Sequence, residues 1–175
     1  MNKFIRIALI VVAVLAVAFF ALRTYTKSKS PEAVAVFKQD GLEVEVNYCQ
    51  PAKQGRAIFG TLLPYGKVWR TGANEATVIS FNKDVLLAGK PLKAGKYTLW
   101  TIPGANEWTI ILNSQTGQWG TSYDESQDVL RVKVASATKP DMAESFKIDF
   151  SPQDGGSDML LRWDSTEVAV PIRTR

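Results

Sequence analysis

From residue 42 to residue 48 apolar and polar side chains alternate without a break: Leu42, Val44, Val46 and Tyr48 against Glu43, Glu45 and Asn47. Side chains leave a β-strand on opposite faces in turn, so this pattern describes a strand with one dry and one wet face. The same period returns at Leu130, Val132 and Val134 and at Phe146, Ile148 and Phe150. Apolar runs bounded by turn residues add strands at 33–38, 76–81, 85–87, 96–102, 108–112, 159–163 and 167–172. Gln39-Asp40-Gly41 supplies a hairpin turn, and only residues 57–63 suggest a turn of helix. About nine short strands at this spacing bury their apolar faces best as an antiparallel β-sandwich of two packed sheets, with a closed barrel as the structural alternative.

The beginning of the chain obeys a different rule. Residues 7–22 are sixteen uninterrupted apolar residues behind a short head carrying Lys3 and Arg6. At ~1.5 Å per residue, sixteen to nineteen residues span roughly 24–28 Å, close to the ~30 Å of a hydrocarbon layer. Two readings stand: a transmembrane anchor over residues 1–23, or a signal segment cleaved near Ala16-Val17-Ala18. Phe19, Phe20 and Leu22 carry the apolar run past that site, which favours the anchor. Basic residues flank both ends, so charge alone does not orient the span. Residues 24–32 are polar and unpatterned and read as a tether, leaving 33–175 as the folded domain.

Charge and composition exclude several chemistries. The net charge of +4 comes from the N-terminal segment: residues 31–175 hold sixteen basic and seventeen acidic side chains. A nearly neutral body lacks the basic face of a nucleic-acid binder. The chain has no histidine, which removes the commonest general base and most transition-metal sites, and we expect neither metal nor cofactor. The single cysteine, Cys49, has no internal disulfide partner and reads as a packing residue.

Polar and aromatic chemistry concentrates in residues 64–77, where Tyr65, Trp69, Arg70, Asn74 and Glu75 lie between and beyond glycines 66 and 72. Arg70 suits a carboxylate or phosphate, with Asn74 and Glu75 as partners for hydroxyls. The plainer alternative pairs Arg70 with Glu75 and puts Asn74 in a left-handed turn. Arg56, Trp119 and Tyr123 fall in loops and complete a candidate binding set with Asp124, whereas Trp100 and Trp108 lie in strands and belong to the core. Glu75 and Asp124 are the carboxylates from which a hydrolytic pair could be made. Residues 154–158 (DGGSD) read as a hairpin turn rather than a calcium loop.

Several of these segments recur in a known family. The runs 55–77 (with GR, IFG, LPYG and VWRTGANEAT), 92–103 (LKAGKYTLWTIP) and 108–113 (WTIILN), then Trp119-Gly120 and Tyr123-Asp124, closely resemble the bacterial domain of unknown function numbered 2911. The resemblance covers nearly everything from Leu42 onward, departing at Thr121-Ser122. It implies an exported domain behind a signal peptide or membrane segment, hence one on the periplasmic or extracytoplasmic side of the cytoplasmic membrane. It assigns no reaction and no catalytic residue. The reading is therefore a membrane-anchored, non-enzymatic envelope domain that binds a saccharide, a peptide or an envelope protein. A carboxylate-dependent hydrolase of envelope glycans and a purely structural module are the alternatives, and secretion after cleavage is the alternative location.

Overall fold

In the computed structural model, which describes residues 2–175, one helix precedes nine antiparallel strands. The helix α1 spans Lys3–Lys29. The strands are β1 (Glu32–Gln39), β2 (Leu42–Cys49), β3 (Thr77–Phe81), β4 (Val85–Leu87), β5 (Lys90–Leu92), β6 (Gly95–Ile102), β7 (Glu107–Asn113), β8 (Asp128–Gln153) and β9 (Gly156–Thr174). The antiparallel all-β architecture behind an N-terminal helix is as the sequence implies. The strands, however, join in one sheet of order β1-β2-β3-β6-β7-β8-β9-β4-β5, not in two separate sheets.

The physical reason is the length of β8 and β9. Residues 129–135 and 146–150 are two stretches of the same strand, joined through a polar segment that stays extended across register shifts near Ala143. The first part of β8 pairs with β7 and the remainder with β9, so one backbone carries the hydrogen-bonded ladder from one half of the sheet to the other. Residues 159–163 and 167–172 likewise fuse into β9, with Asp164 at φ 53° between them. The 154–158 segment does turn as a hairpin: Gln153 faces Gly156, and Asp158 is paired with Arg173 at 2.7 Å.

Local turns are governed by backbone sterics. Asp40-Gly41, at φ 51° and 73°, joins β1 to β2 with Gln39 opposite Leu42, the twist that a two-residue hairpin favours. The expected helical turn at 57–63 is instead a compact loop closed by Leu63 N–H to Ile58 carbonyl (2.8 Å) and Gly60 N–H to Leu63 carbonyl (2.8 Å). Its Ile58 is fully buried, so an apolar plug rather than a helix period explains the pattern.

The sheet folds over a single core. Phe37 of β1 meets Phe150 of β8 with ring centroids 6.0 Å apart, and Tyr48 of β2 meets Phe146 edge-on at 5.8 Å. The Tyr48 hydroxyl accepts from Ile148 N–H (3.0 Å) and donates to the Ile148 carbonyl (3.3 Å), tying β2 to β8 across the fold. Val44, Val46, Ile79, Leu99, Ile110, Leu161, Val168, Val170 and Ile172 are buried in the same cluster. By contrast, α1 has no buried residue, although it is long and apolar enough to cross a membrane. Residues 24–29, expected as part of an unpatterned tether, are helical instead. Thr24, Thr26 and Ser28 return their hydroxyls to carbonyls of the preceding turn, and α1 continues to Lys29, leaving only Ser30 and Pro31 before β1.

Replacing Tyr48 with phenylalanine leaves the buried Ile148 N–H unpaired, and the expected cost is about 1–3 kcal/mol of unfolding free energy. Denaturant titration of the full chain in detergent checks it.

Candidate functional site

The corner at residues 64–77 is pinned to the core by Trp69. Its backbone exchanges hydrogen bonds with Thr101 of β6 in both directions, at 2.7 and 2.9 Å. The indole stacks on Trp163 (5.8 Å, 23° between planes) and meets Phe146 edge-on at 4.9 Å, while its Nε1 donates to the Gly72 carbonyl at 3.0 Å. Thr71, fully buried, adds a hydroxyl contact to Thr101 Oγ1 at 3.1 Å, and Thr77 Oγ1 donates to the Thr71 carbonyl at 2.7 Å. Gly72 serves space rather than backbone freedom: a Cβ there would sit 2.9 Å from Thr77 Oγ1 and 3.1 Å from the Cys49 carbonyl. The left-handed angles in this corner belong to Gly66 (74°), Thr71 (53°) and Asn74 (59°).

A second loop closes on this corner. Glu75 bridges Trp119, and Gly120 N–H donates to the Asn74 carbonyl at 3.1 Å. The same carbonyl accepts from Arg70 Nη1 at 3.0 Å. Gly120 passes so close that a Cβ would meet Arg70 Cδ at 2.3 Å and the Asn74 carbonyl oxygen at 2.7 Å. Arg70 is half-buried, burial pulls its guanidinium below its ordinary pKa, and among the described residues no carboxylate pairs with it. The expected alternative, an Arg70–Glu75 pair, does not form. Glu75 turns instead toward α1, where Arg23 and Lys27 each reach its Oε1 at 3.4 Å.

Between α1 and the corner lies a cavity of about 700 Å³. Five of the expected residues line it together: Arg56, Trp69, Arg70, Asn74 and Trp119. Trp69 is 93% hidden in the core and contributes only an edge, whereas Trp119 is 46% exposed. Tyr25 and Lys29 of α1 and Trp163 of β9 also line the cavity. Its cations are Lys29, Arg56 and Arg70, and among the described lining residues there is no carboxylate. The Asn74 Nδ2 is buried beside the Cys49 thiol and has no oxygen acceptor among the described residues. Arg56 is held in place by donating to the carbonyls of Ala52 (2.6 Å) and Lys53 (2.9 Å).

The remaining expected residues serve elsewhere. Tyr65 is exposed and stands over Gly60, outside the lining of this cavity. Tyr123 packs on Trp100 (5.0 Å), and its hydroxyl donates to Asp128 Oδ2 at 2.6 Å. Burial, with the Asp128 carboxylate adding to it, pushes that phenol well above its ordinary pKa. With Arg70, Tyr123 lines a smaller cavity of about 380 Å³ that shares Leu62, Leu63, Trp69 and Arg70 with the first. Asp124 caps the 3-10 turn Glu125–Gln127, accepting from Ser126 N–H (2.9 Å) and Ser126 Oγ (2.7 Å), which hold its carboxyl below the usual range. The two carboxylates considered for hydrolysis are thus engaged in unrelated contacts, one with α1 and one with a loop turn.

Tyr25, Lys29 and Trp163 are among the lining residues that sequence reasoning missed. The signal for the first two was present in the spacing Leu22, Tyr25, Thr26, Lys29, one face of a helix carried past the apolar run. Trp163 carried no such signal, because its strand reads simply as core.

The geometry defines a β domain with one membrane-length helix and a cationic, aromatic-walled cavity where the two meet. The chain belongs to the family described as protein of unknown function (DUF2911), whose model matches residues 30–172. No curated protein and no solved structure matches it.

Gly120→Ala forces the Trp119 loop off Arg70 and the Asn74 carbonyl, and a loss of about 1–3 kcal/mol is expected on thermal unfolding. Cys49 is buried, and burial together with the Glu75 charge pushes its thiol above its ordinary pKa. It should therefore react with a thiol reagent at pH 8 only when the protein is unfolded, with no labelling in the native state by mass spectrometry.

Proposed function

We propose that this chain is a membrane-anchored binding module of the cell envelope, with its β domain outside the cytoplasmic membrane and an anionic ligand in the cavity beside α1. The observation that carries this reading is the charge census of that cavity. Lys29, Arg56 and Arg70 surround one space, with no carboxylate among the described lining residues. A half-buried guanidinium without an ionic partner gains most from a carboxylate or phosphate that brings two acceptor oxygens. The aromatic walls suit a sugar ring or a peptide side chain attached to that anion.

The uncleaved anchor is favoured by what cleavage would remove. An apolar helix with no buried residue needs lipid around it. Its last turns are also joined to the domain, through Arg23 and Lys27 at Glu75, a second Lys27 contact to Glu32, and Tyr25 and Lys29 in the cavity wall. Cleavage after residue 18 would leave those turns without the rest of their helix. Surface ion pairs of this kind are each worth no more than about 1 kcal/mol, so they orient α1 rather than hold it.

The test uses the full chain in detergent with glycerol 3-phosphate and glucuronate as anionic probes and glycerol and glucose as neutral ones. The anions should bind in a salt-sensitive manner and the neutral probes should not. Arg56→Gln should weaken the anions about tenfold, about 1.4 kcal/mol. Equal binding of charged and neutral probes, or an unchanged Arg56→Gln, would remove the reading. N-terminal sequencing of the mature membrane-bound protein should begin at residue 1 or 2.

A further inference from the structure

Trp119 is shared by two cavities of opposite character. On one side is the cationic space already described. On the other is an apolar cleft of about 330 Å³ lined by Phe19, Leu22, Arg23, Thr26, Glu75 and Trp119. Among the described residues Trp119 is the one exposed tryptophan, since Trp69, Trp100, Trp108 and Trp163 are all buried. Its neighbours Phe19 and Leu22 are two of the last four apolar positions of the membrane-length run, so a bilayer that surrounds that run reaches the indole.

The length of the run sharpens this point. Residues 7–22 span roughly 24 Å, short of a ~30 Å hydrocarbon layer. No slack separates span from domain, because α1 stays helical to Lys29 and β1 begins at Glu32. The Trp119 loop therefore lies at the level where acyl chains give way to headgroups, the depth that tryptophan favours. Along the same face of α1, Leu22 lines the apolar cleft while Tyr25 and Lys29 line the cationic cavity. The apolar and cationic surfaces thus follow one another outward across the interface.

We infer that this juxtaposition is a site for one anionic lipid, its acyl chain in the cleft between Phe19, Leu22 and Trp119 and its headgroup phosphate among Lys29, Arg56 and Arg70. The inference rests on the anchored, anion-binding reading above and names the ligand class for it. Lipid presented by the bilayer arrives already oriented, tail inward and charge outward, which lowers the ordering cost of filling both cavities at once. Lys29 is well placed for the phosphate: its ammonium stands 5.7 Å from the centre of the Tyr25 ring, and among the described residues it has no ionic partner.

The experiment reconstitutes the full chain in vesicles of phosphatidylcholine with a minor fraction of phosphatidylglycerol, either lipid being brominated on its acyl chains. Bromine quenches a neighbouring indole, and Trp119 is one of five tryptophans. Brominated phosphatidylglycerol should remove up to about a fifth of the emission at a mole fraction where brominated phosphatidylcholine removes little. Trp119→Phe should abolish that difference. Lys29→Gln, at an exposed position that leaves the corner intact, should raise the half-quenching mole fraction several-fold. Quenching that ignores the headgroup, or is unchanged by Lys29→Gln, overturns the lipid site. So does tighter binding of free glycerol 3-phosphate than of the vesicle lipid, and in both cases the anion-binding reading survives. Failure of the chain to float with the vesicles removes the anchor and the lipid site together.

Discussion

The stacking of Trp69 on Trp163, with Phe146 edge-on beside it, is the contact on which the candidate site depends. A loop of fourteen residues would ordinarily sample many conformations, at a conformational cost of about 1–2 kcal/mol for each residue that is fixed. Here a buried indole, two backbone hydrogen bonds to Thr101 and a third from the ring to Gly72 offset that cost and set the backbone direction on both sides of residue 69. The guanidinium next in sequence is consequently aimed outward from a fixed base. Aromatic pairs of this geometry add about 0.5–1.5 kcal/mol beyond the burial of their area, and Trp69 takes part in three of them.

The Asn74 carbonyl is the second organising point. It accepts from Arg70 and from Gly120, so the corner and the Trp119 loop share one acceptor. Such sharing explains why Gly120 has no room for a side chain and why Arg70 is left without a carboxylate. Its one short contact is to a neutral oxygen, and most of its donors remain open. Glu75, the obvious partner in sequence, belongs to a different face because its backbone bridges Trp119 and its side chain turns toward the basic end of α1. The charge pattern of the corner follows from these two facts: acid toward the helix, base toward the cavity.

α1 joins an apolar stretch of membrane-spanning length to the chemistry of the domain. Its apolar stretch is uniform around the helix, whereas its last two turns are polar and specific, pairing with Glu75 and Glu32 and lining the cavity through Tyr25 and Lys29. Continuity of the helix from the apolar run into the domain sets the distance between that run and the cavity, since a helix transmits position at ~1.5 Å per residue where a flexible tether would not.

Much of the architecture was legible in the residues themselves. Alternation at 42–48, the Asp40-Gly41 turn and the sixteen apolar residues at 7–22 each encode a local conformation through side-chain period or backbone sterics, and each appears where it was read. Of the nine residues expected to form one site, Arg56, Trp69, Arg70, Asn74 and Trp119 line the cavity together, whereas Tyr65, Glu75, Tyr123 and Asp124 lie outside it. Only the folded chain decided that β8 would be a single 26-residue strand joining both halves of the sheet, that Glu75 would face the helix, and that Trp163 would enter the wall. Those outcomes rest on contacts between residues far apart in sequence, where packing volume and the supply of hydrogen-bond partners, rather than any local period, select one arrangement.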